Sequence, residues 1–302
     1  MTHFALIAAV KHPDDLDTAL APFDENKEVA PYRDYFEDWE KTYSRALGFY
    51  KECPEDKPAG LDEKNVPEVL SDYEDMEVHE DTTGDKVRYY TVVTYNPNSK
   101  WDWWIIGGRY AGKWATNSPG HPDLLTATPA WNTPRDMLTG TVNGGPKKLL
   151  DLDESRTRVS SQAATEWDAF HRIADKHPGS FGWSHFYGKV SDTYPIDQAR
   201  TDYREQPLWS ALEGTEFDLR MGCPVDEYAV DRAVYIDRHR ARANVGYALL
   251  TLDGEWIAPG DMGWFGMSSD DQSDRDAYYE RANAYIDSLD GDTYLIVVDC
   301  HI

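Results

Sequence analysis

Phe4–Val10 is a continuous apolar run of strand length, closed by His12-Pro13-Asp14-Asp15, a turn that can cap a short helix over Leu16–Leu20. The rhythm then changes. After Pro31, which suits a first helical position, Tyr32, Phe36, Trp39, Tyr43, Ala46, Leu47 and Tyr50 recur near 3.6-residue spacing and predict one helix through Cys53. Cys53–Val66 breaks that stripe with proline, glycine and charge and reads as a surface loop. Lys86–Tyr95 alternates like a strand, Tyr95-Asn96-Pro97-Asn98 reads as a turn, and Trp101–Ile106 reads as an aromatic strand running into Gly107-Gly108. Lys113–Pro146 accommodates two short strands, with Asn143-Gly144-Gly145-Pro146 as a turn.

The second half is more helical. Ser160–Lys176 places Ala163, Trp167, Phe170 and Ala174 on one face and is stopped by His177-Pro178-Gly179. Phe181–Val190 is dense in aromatics, and its His185 reads as a structural imidazole. Asp192–Glu216 reads as an extended insertion, and Asp226–Arg242 as a helix begun by Pro224. Val245–Leu252, Asp253-Gly254 and Glu255–Ala258 predict a hairpin, because Asp-Gly favours the tight type I′ turn. Asp274–Leu289 predicts a helix with Tyr278, Ala282, Tyr285, Ile286 and Leu289 inward, stopped by Gly291. Tyr294–Val298 is apolar at consecutive positions, as in a strand covered on both faces. These elements predict an α+β fold, a mixed or antiparallel sheet with helices on one face in ferredoxin-like layering. One domain over 1–302 is expected, with loop-rich insertions at about 53–85 and 113–155 and a candidate subdomain over 156–243.

Composition changes the picture in two ways. With 11 Trp and 19 Tyr, aromatic rings must fill much of the interior or line binding surfaces. The net charge of -25 repels nucleic acid and acidic membranes, so neither is an expected partner. No apolar run is long enough to span a bilayer, and MTHFALIAAV lacks a charged n-region and reads as a strand rather than a signal peptide. Cys53, Cys223 and Cys300 form no CxxC or zinc pattern, which fits a reduced, cytoplasmic protein.

Candidate chemistry concentrates in Thr94–Gly112. On a strand, Trp101, Trp103 and Ile105 share one face, while Asp102, Trp104 and Ile106 share the other. A carboxylate between indoles needs a cation, and Lys100 and Arg109 are the nearest in sequence. One reading is a core strand whose Gly107-Gly108 is a bulge or turn. The other is a ligand site in which Trp101, Trp103, Trp104 and, from a distant loop, Trp264 stack a flat group, while backbone N–H groups of Gly107-Gly108 meet an anion beside Arg109. Glu68–Asp81 carries no base, and Asp72, Glu74, Asp75 and Glu77 are its candidate protein interface, with a solvated face as the alternative. It lacks the central glycine of an EF-hand, so no metal is expected. Arg238-His239-Arg240-Ala241-Arg242 is the best-placed basic phrase for an anion, and equally suits a helix C-terminus.

Four phrases carry a resemblance. Ala21-Pro22-Phe23-Asp24-Glu25-Asn26, the KWDW-x-x-IGGRW-like block at Lys100–Tyr110 (Tyr110 standing where Trp is usual), and the pair GDMGWFG at Gly260–Gly266 with VDCHI at Val298–Ile302 together resemble a widespread family of tailed-bacteriophage and prophage proteins. The resemblance implies a phage origin, with action in the host cytoplasm. It carries over no catalytic residue.

The P-loop, the dinucleotide-binding glycine fingerprint, the GxSxG elbow and HExxH are all missing from the sequence. Cys300 and His301 are adjacent, so a strand points them to opposite faces, whereas Asp299 and His301 share one and could pair. The leading expectation is therefore a non-enzymatic anti-defence inhibitor that binds a host defence protein, needing no cofactor and leaving room for a homo-oligomer. The alternative is a protein that sequesters an anionic nucleotide signal, and a third is a hydrolase using Asp299 and His301.

Overall fold

A run of small and aliphatic side chains, Phe4–Val10, forms the first strand because its branched and apolar residues are buried on both sides of a sheet. The computed structural model describes residues 2–128, 138–217, 224–262 and 268–302. The chain divides into two compact units, one made of Met1–Ala19 with Trp103–Ile302 and the other of Leu20–Asp102, where the sequence suggested one domain.

In chain order, β1 (His3–Val10) leads through a 3₁₀ turn at Pro13–Asp15, capped by the His12 side chain, to α1 (Leu16–Leu20). The second unit then supplies β2 (Tyr32–Tyr35), α2 (Trp39–Glu52), α3 (Val66–Glu74), β3 (Val78–Asp81) and β4 (Arg88–Val93). Its strands form an antiparallel sheet in the order β2-β4-β3. The long helix expected from Pro31 is thus two elements. Tyr32–Tyr35 pairs with β4, and the helix begins only where the Asp38 carboxylate accepts from Lys41 N. Residues 53–85, expected as a loop-rich insertion, hold α3, begun by Asn65 as N-cap, and β3. Behind the sheet, Leu70, Val78 and Tyr89 pack with Phe36, Trp39, Tyr43 and Val66. Asp81 is anchored by Tyr35 Oη at 2.6 Å and by the Thr83 hydroxyl, which hold its carboxyl well below the usual range.

The first unit continues with β5 (Trp103–Ile106), β6 (Trp114–Thr116), β7 (Leu125–Thr126), β8 (Thr141–Pro146), β9 (Leu150–Asp151), the helices α4 (Leu152–Ala174), α5 (Trp183–Tyr187), α6 (Ile196–Arg204), α7 (Pro207–Leu212), α8 (Pro224–Tyr228) and α9 (Arg232–Arg242), then β10 (Ala248–Leu250), β11 (Trp256–Ile257), α10 (Gln272–Ser288) and β12 (Tyr294–His301). The fold is α+β. Its main sheet runs β11-β10-β1-β12-β8-β6-β9, with β5 also on β12 and β7 on β8. β1 is parallel to β10 and antiparallel to β12, so the sheet is mixed. The expected β-β-α-β order is present as β10, β11, α10 and β12, and Tyr278, Ala282 and Ile286 of α10 pack onto Ala5, Ile7, Leu249, Leu295 and Val297.

Three sequence expectations change in this unit. Asn143-Gly144-Gly145-Pro146 is not a turn but lies in β8, buried throughout, because a side chain at Gly144 would overlap the carbonyl of Leu295 on β12. The region 192–216 is helical, with Pro195 and Pro207 at helix starts, and its Ala199, Tyr203, Leu208 and Leu212 join Phe170, Phe186 and Tyr235 in a second core. The expected Asp226–Arg242 helix is broken into α8 and α9, since Asp231 caps a fresh start. Cys53 and Cys300 are free thiols, and Cys223 lies outside the described residues. Among the described residues, no helix is long and apolar enough to cross a membrane.

The Gly144 contact makes a first prediction. Gly144→Ala forces a methyl group against the β12 backbone, and overpacking of that kind costs about 1–3 kcal/mol. Thermal unfolding of the variant should show a clearly lower midpoint; an unchanged midpoint would mean that β8 and β12 are not so close.

Candidate functional site

β12 carries Asp299 into the sheet on the face shared by Ile105 and His301, while Cys300 points the other way beside Trp104. The Asp299 side chain is only 3% exposed, so its charge needs partners from neighbouring elements. His3 supplies one. It lies opposite His301, two residues from the Ala5–Asp299 pair on the same face, and its Nδ1 stands 2.8 Å from Asp299 Oδ1. A carboxylate only accepts, so Nδ1 carries a proton, and in the neutral ring the lone pair is on Nε2. Among the described residues, no protein group bonds to that Nε2.

The second partner is a backbone donor. Gly107 and Gly108 take φ of +76° and +49°, and this left-handed path brings Arg109 N to 2.8 Å from Asp299 Oδ2. A Cβ on Gly108 would overlap the same carboxylate. Around the pair, Trp103 stacks on His301 at 5.5 Å between ring centroids, and both rings meet His3 edge-on. Tyr110 Oη donates to His3 O at 3.1 Å. Burial, and then the charge of Asp299, raise the Tyr110 phenol and push the Cys300 thiol far up, so Cys300 is no thiolate nucleophile.

His3 and Tyr110 also line a cleft of about 500 Å³. Its other polar lining is unusual for a chain this acidic: Lys113, Arg242, Tyr247, Asp270 and Arg275. Arg275 is paired with Asp270, whose burial opposes ionisation but is outweighed by Ser268 and Arg275. Lys113 donates to Val245 O at 2.8 Å and Arg242 O at 3.3 Å, leaving its third N–H for another acceptor. Burial, and then the charge of Arg158, lower Lys113 to about 8. The Arg242 guanidinium lies 5.6 Å from the Tyr279 ring centroid, and its buried Nε has no hydrogen-bond partner. Neither Lys113 nor Arg242 is ion-paired among the described residues. A larger cleft of about 690 Å³ beside α9 and α10 is lined by Arg156, which pairs with Asp287, by Arg238, which pairs with Asp276, by Arg240, and by the carboxylates Asp237 and Glu280 as well.

The residues singled out from the sequence are only partly gathered here. Trp101 is buried in the other unit, bridged to Asp24 outside any named strand. Trp103, 43% exposed, lies on the Asp299 face of β5, and Trp104 on the opposite face. Arg109 contributes its backbone N–H, with its residue exposed. The anion that meets the Gly107-Gly108 turn is the chain's own Asp299 carboxylate. The imidazole that pairs with Asp299 is that of His3, where the sequence suggested His301. Trp264 lies outside the described residues. Asp72 and Glu74 fall at the end of α3 and Asp75 and Glu77 in its connection to β3, with the Asp72 carboxylate accepting from Tyr50 Oη. Sequence reading missed His3, Lys113, Tyr247 and Arg275, whereas Arg242 belongs to the basic phrase it had marked.

Substitutions at 108 and 109 separate backbone from side chain. Arg109→Ala keeps the N–H that Asp299 uses and should change stability by no more than about 0.5 kcal/mol. Gly108→Ala must strain a left-handed residue and displace a buried carboxylate, so its melting temperature should fall well below that of Arg109→Ala. The reverse order in calorimetry would sink this account. Comparison of the chain with protein-family models, curated proteins and solved structures gives no match.

Proposed function

We propose that this protein binds and sequesters a small anionic molecule of nucleotide type in the cleft beside His3. The observation that carries the reading is a pair of cations, Lys113 and Arg242, that have no carboxylate partner among the described residues of a chain with net charge -25. Acidic chains have carboxylates to spare, and two positive groups converging on one cleft without them favour an outside anion. The Tyr247 and Tyr279 rings at the same wall suit the organic part of such a ligand. In the phage setting that the sequence motifs suggest, the ligand would be a nucleotide signal of the host, held in its cytoplasm.

A second reading, blockade of a basic host defence protein, is favoured by a specific surface in the other unit. Phe49, Tyr73 and Met76 are exposed large apolar residues there, Phe49 meets Tyr73 edge-on at 6.0 Å between ring centroids, and Asp72, Glu74, Asp75 and Glu77 flank Tyr73 and Met76 in sequence. Apolar contacts ringed by one sign of charge suit a partner of opposite charge. Changing all four acids to their amides should slow association with that partner much more than it alters folding, since an amide oxygen at 72 still accepts from Tyr50 Oη. Unchanged association kinetics would remove this surface from consideration.

The cleft has its own test. Binding of adenosine 5′-monophosphate, followed by calorimetry, should weaken by about tenfold or more in Arg242→Gln, in line with loss of a charge-assisted hydrogen bond worth about 1.5–3 kcal/mol. Affinity should also fall as pH rises through about 8, because Lys113 is cationic below that value and neutral above it. The opposite charge of a bound phosphate holds the proton on Lys113, so binding near pH 8 should take up protons from the buffer. No affinity in the unaltered protein, or affinity that Arg242→Gln leaves untouched, would overturn the cleft as the binding site.

A further inference from the structure

We infer that the cleft is also a hydrolytic site for phosphodiesters, with His3 as the general base and Asp299 as the residue that positions it. This inference rests on the anion-binding reading of the cleft and adds chemistry to it. Its basis is the state of the His3 ring. Nδ1 is committed to Asp299 at 2.8 Å, Asp299 is itself fixed by Arg109 N, and Nε2 has no protein partner among the described residues although His3 lines the cleft. A carboxylate that fixes the tautomer leaves the lone pair of the neutral ring on the other nitrogen, which is how a histidine is prepared to take a proton.

The substrate class follows from the cations. A neutral carboxylic ester offers no charge for Lys113 and Arg242 to hold, whereas a phosphodiester keeps one negative charge shared over two non-bridging oxygens. Its two organic arms can lie along Tyr247 and Tyr279. In the step itself, a water oxygen forms a bond to phosphorus while one water proton passes to His3 Nε2. The bond from phosphorus to the leaving oxygen breaks, and its electron pair stays with that oxygen. Lys113 has a third N–H beyond those given to Arg242 O and Val245 O, and it gives the leaving oxygen a proton. Solvent returns the proton gained by His3 to Lys113. The products are an alcohol and a phosphomonoester. Negative charge on the non-bridging oxygens is held by Arg242, with Arg275 kept back by its pairing with Asp270.

The test uses the full chain and two probes, the p-nitrophenyl ester of thymidine 5′-monophosphate for turnover and adenosine 5′-monophosphate for binding. The unaltered protein should release p-nitrophenolate, and in water enriched in oxygen-18 the label should enter the thymidine monophosphate. His3→Gln should lose at least about a hundredfold in rate while still binding adenosine 5′-monophosphate. His3→Ala should recover part of its rate when imidazole is added, a response that a structural defect would not give. Asp299→Asn should lower kcat and leave KM nearly unchanged. Binding without turnover in the unaltered protein overturns the hydrolytic inference and leaves the sequestering role standing. Absence of both binding and turnover overturns both. Turnover that survives His3→Gln, or product without label, overturns the role given to His3.

Discussion

A carboxylate buried inside a sheet has to be met by donors, and Asp299 is met from two directions. Moving such a group out of water costs several kcal/mol unless hydrogen bonds replace its hydration. His3 answers from β1 and Arg109 N from the turn after β5, each at 2.8 Å. One side chain on β12 therefore fixes the start of β1, the end of β5 and the path of the Gly107-Gly108 turn. The aromatic lattice of Trp103, His3 and His301 closes over this joint. Those rings are there because the strands place residues 3, 103 and 301 side by side, not because the sequence clusters them.

The same joint opens onto the cleft through His3 and Tyr110. Charge is distributed unevenly around it. Elsewhere in this unit several arginines are answered, as Arg156 by Asp287, Arg232 by Asp168 and Arg281 by Glu255. Exposed pairs of that kind add little stability, but they leave no net field to draw a ligand. In the cleft, among the described residues, the Lys113 ammonium meets carbonyl oxygens and the Arg242 guanidinium the face of a ring. A burial that depresses Lys113 to about 8 is a standing cost of keeping an ammonium there, and an anion relieves it. The larger cleft between α9 and α10 is lined by four carboxylates, Asp237, Asp276, Glu280 and Asp287, whereas this one is lined by Asp270, already paired with Arg275.

The elements legible in the sequence were those set by local pattern. Phe4–Val10 and Tyr294–Val298 are apolar at every position, and no helix or loop competes for them. The Asp253-Gly254 hairpin and the α10 stripe were likewise decided within a few residues. Gly144-Gly145 misled because the same lack of side chains that favours a turn also permits two strands to approach closely, and tertiary contact decides between them. Tyr32–Tyr35 continued a helical stripe by its spacing, but Asp38 offered the better start and the strand found β4. The site was legible only in fragments. At Gly107-Gly108 the N–H of Gly107 goes to Val297 O, and the one N–H given to a carboxylate is that of Arg109. The identity of that anion required the register of two strands whose paired residues, His3 and Asp299, lie 296 positions apart. Nothing local encodes such a pairing.

Because Asp299 joins the fold to the cleft, its chemistry and its structural role cannot be varied independently. Asparagine at 299 has one carbonyl oxygen to accept with, where the carboxylate has two. If that oxygen faces Arg109 N, the amide N–H₂ confronts His3 Nδ1 and drives the ring to its other tautomer, with the proton on Nε2. The histidine then enters the cleft as a donor and can no longer take a proton there. If the amide is reversed, His3 keeps its tautomer but Arg109 N faces a donor, a mismatch that costs about 1–3 kcal/mol and loosens the Gly107-Gly108 turn. The two orientations harm different things, one the basicity of His3 and the other the closure of β5 on β12. A carboxylate at this position serves both, and it is the one side chain of its length whose two oxygens accept from both sides at once.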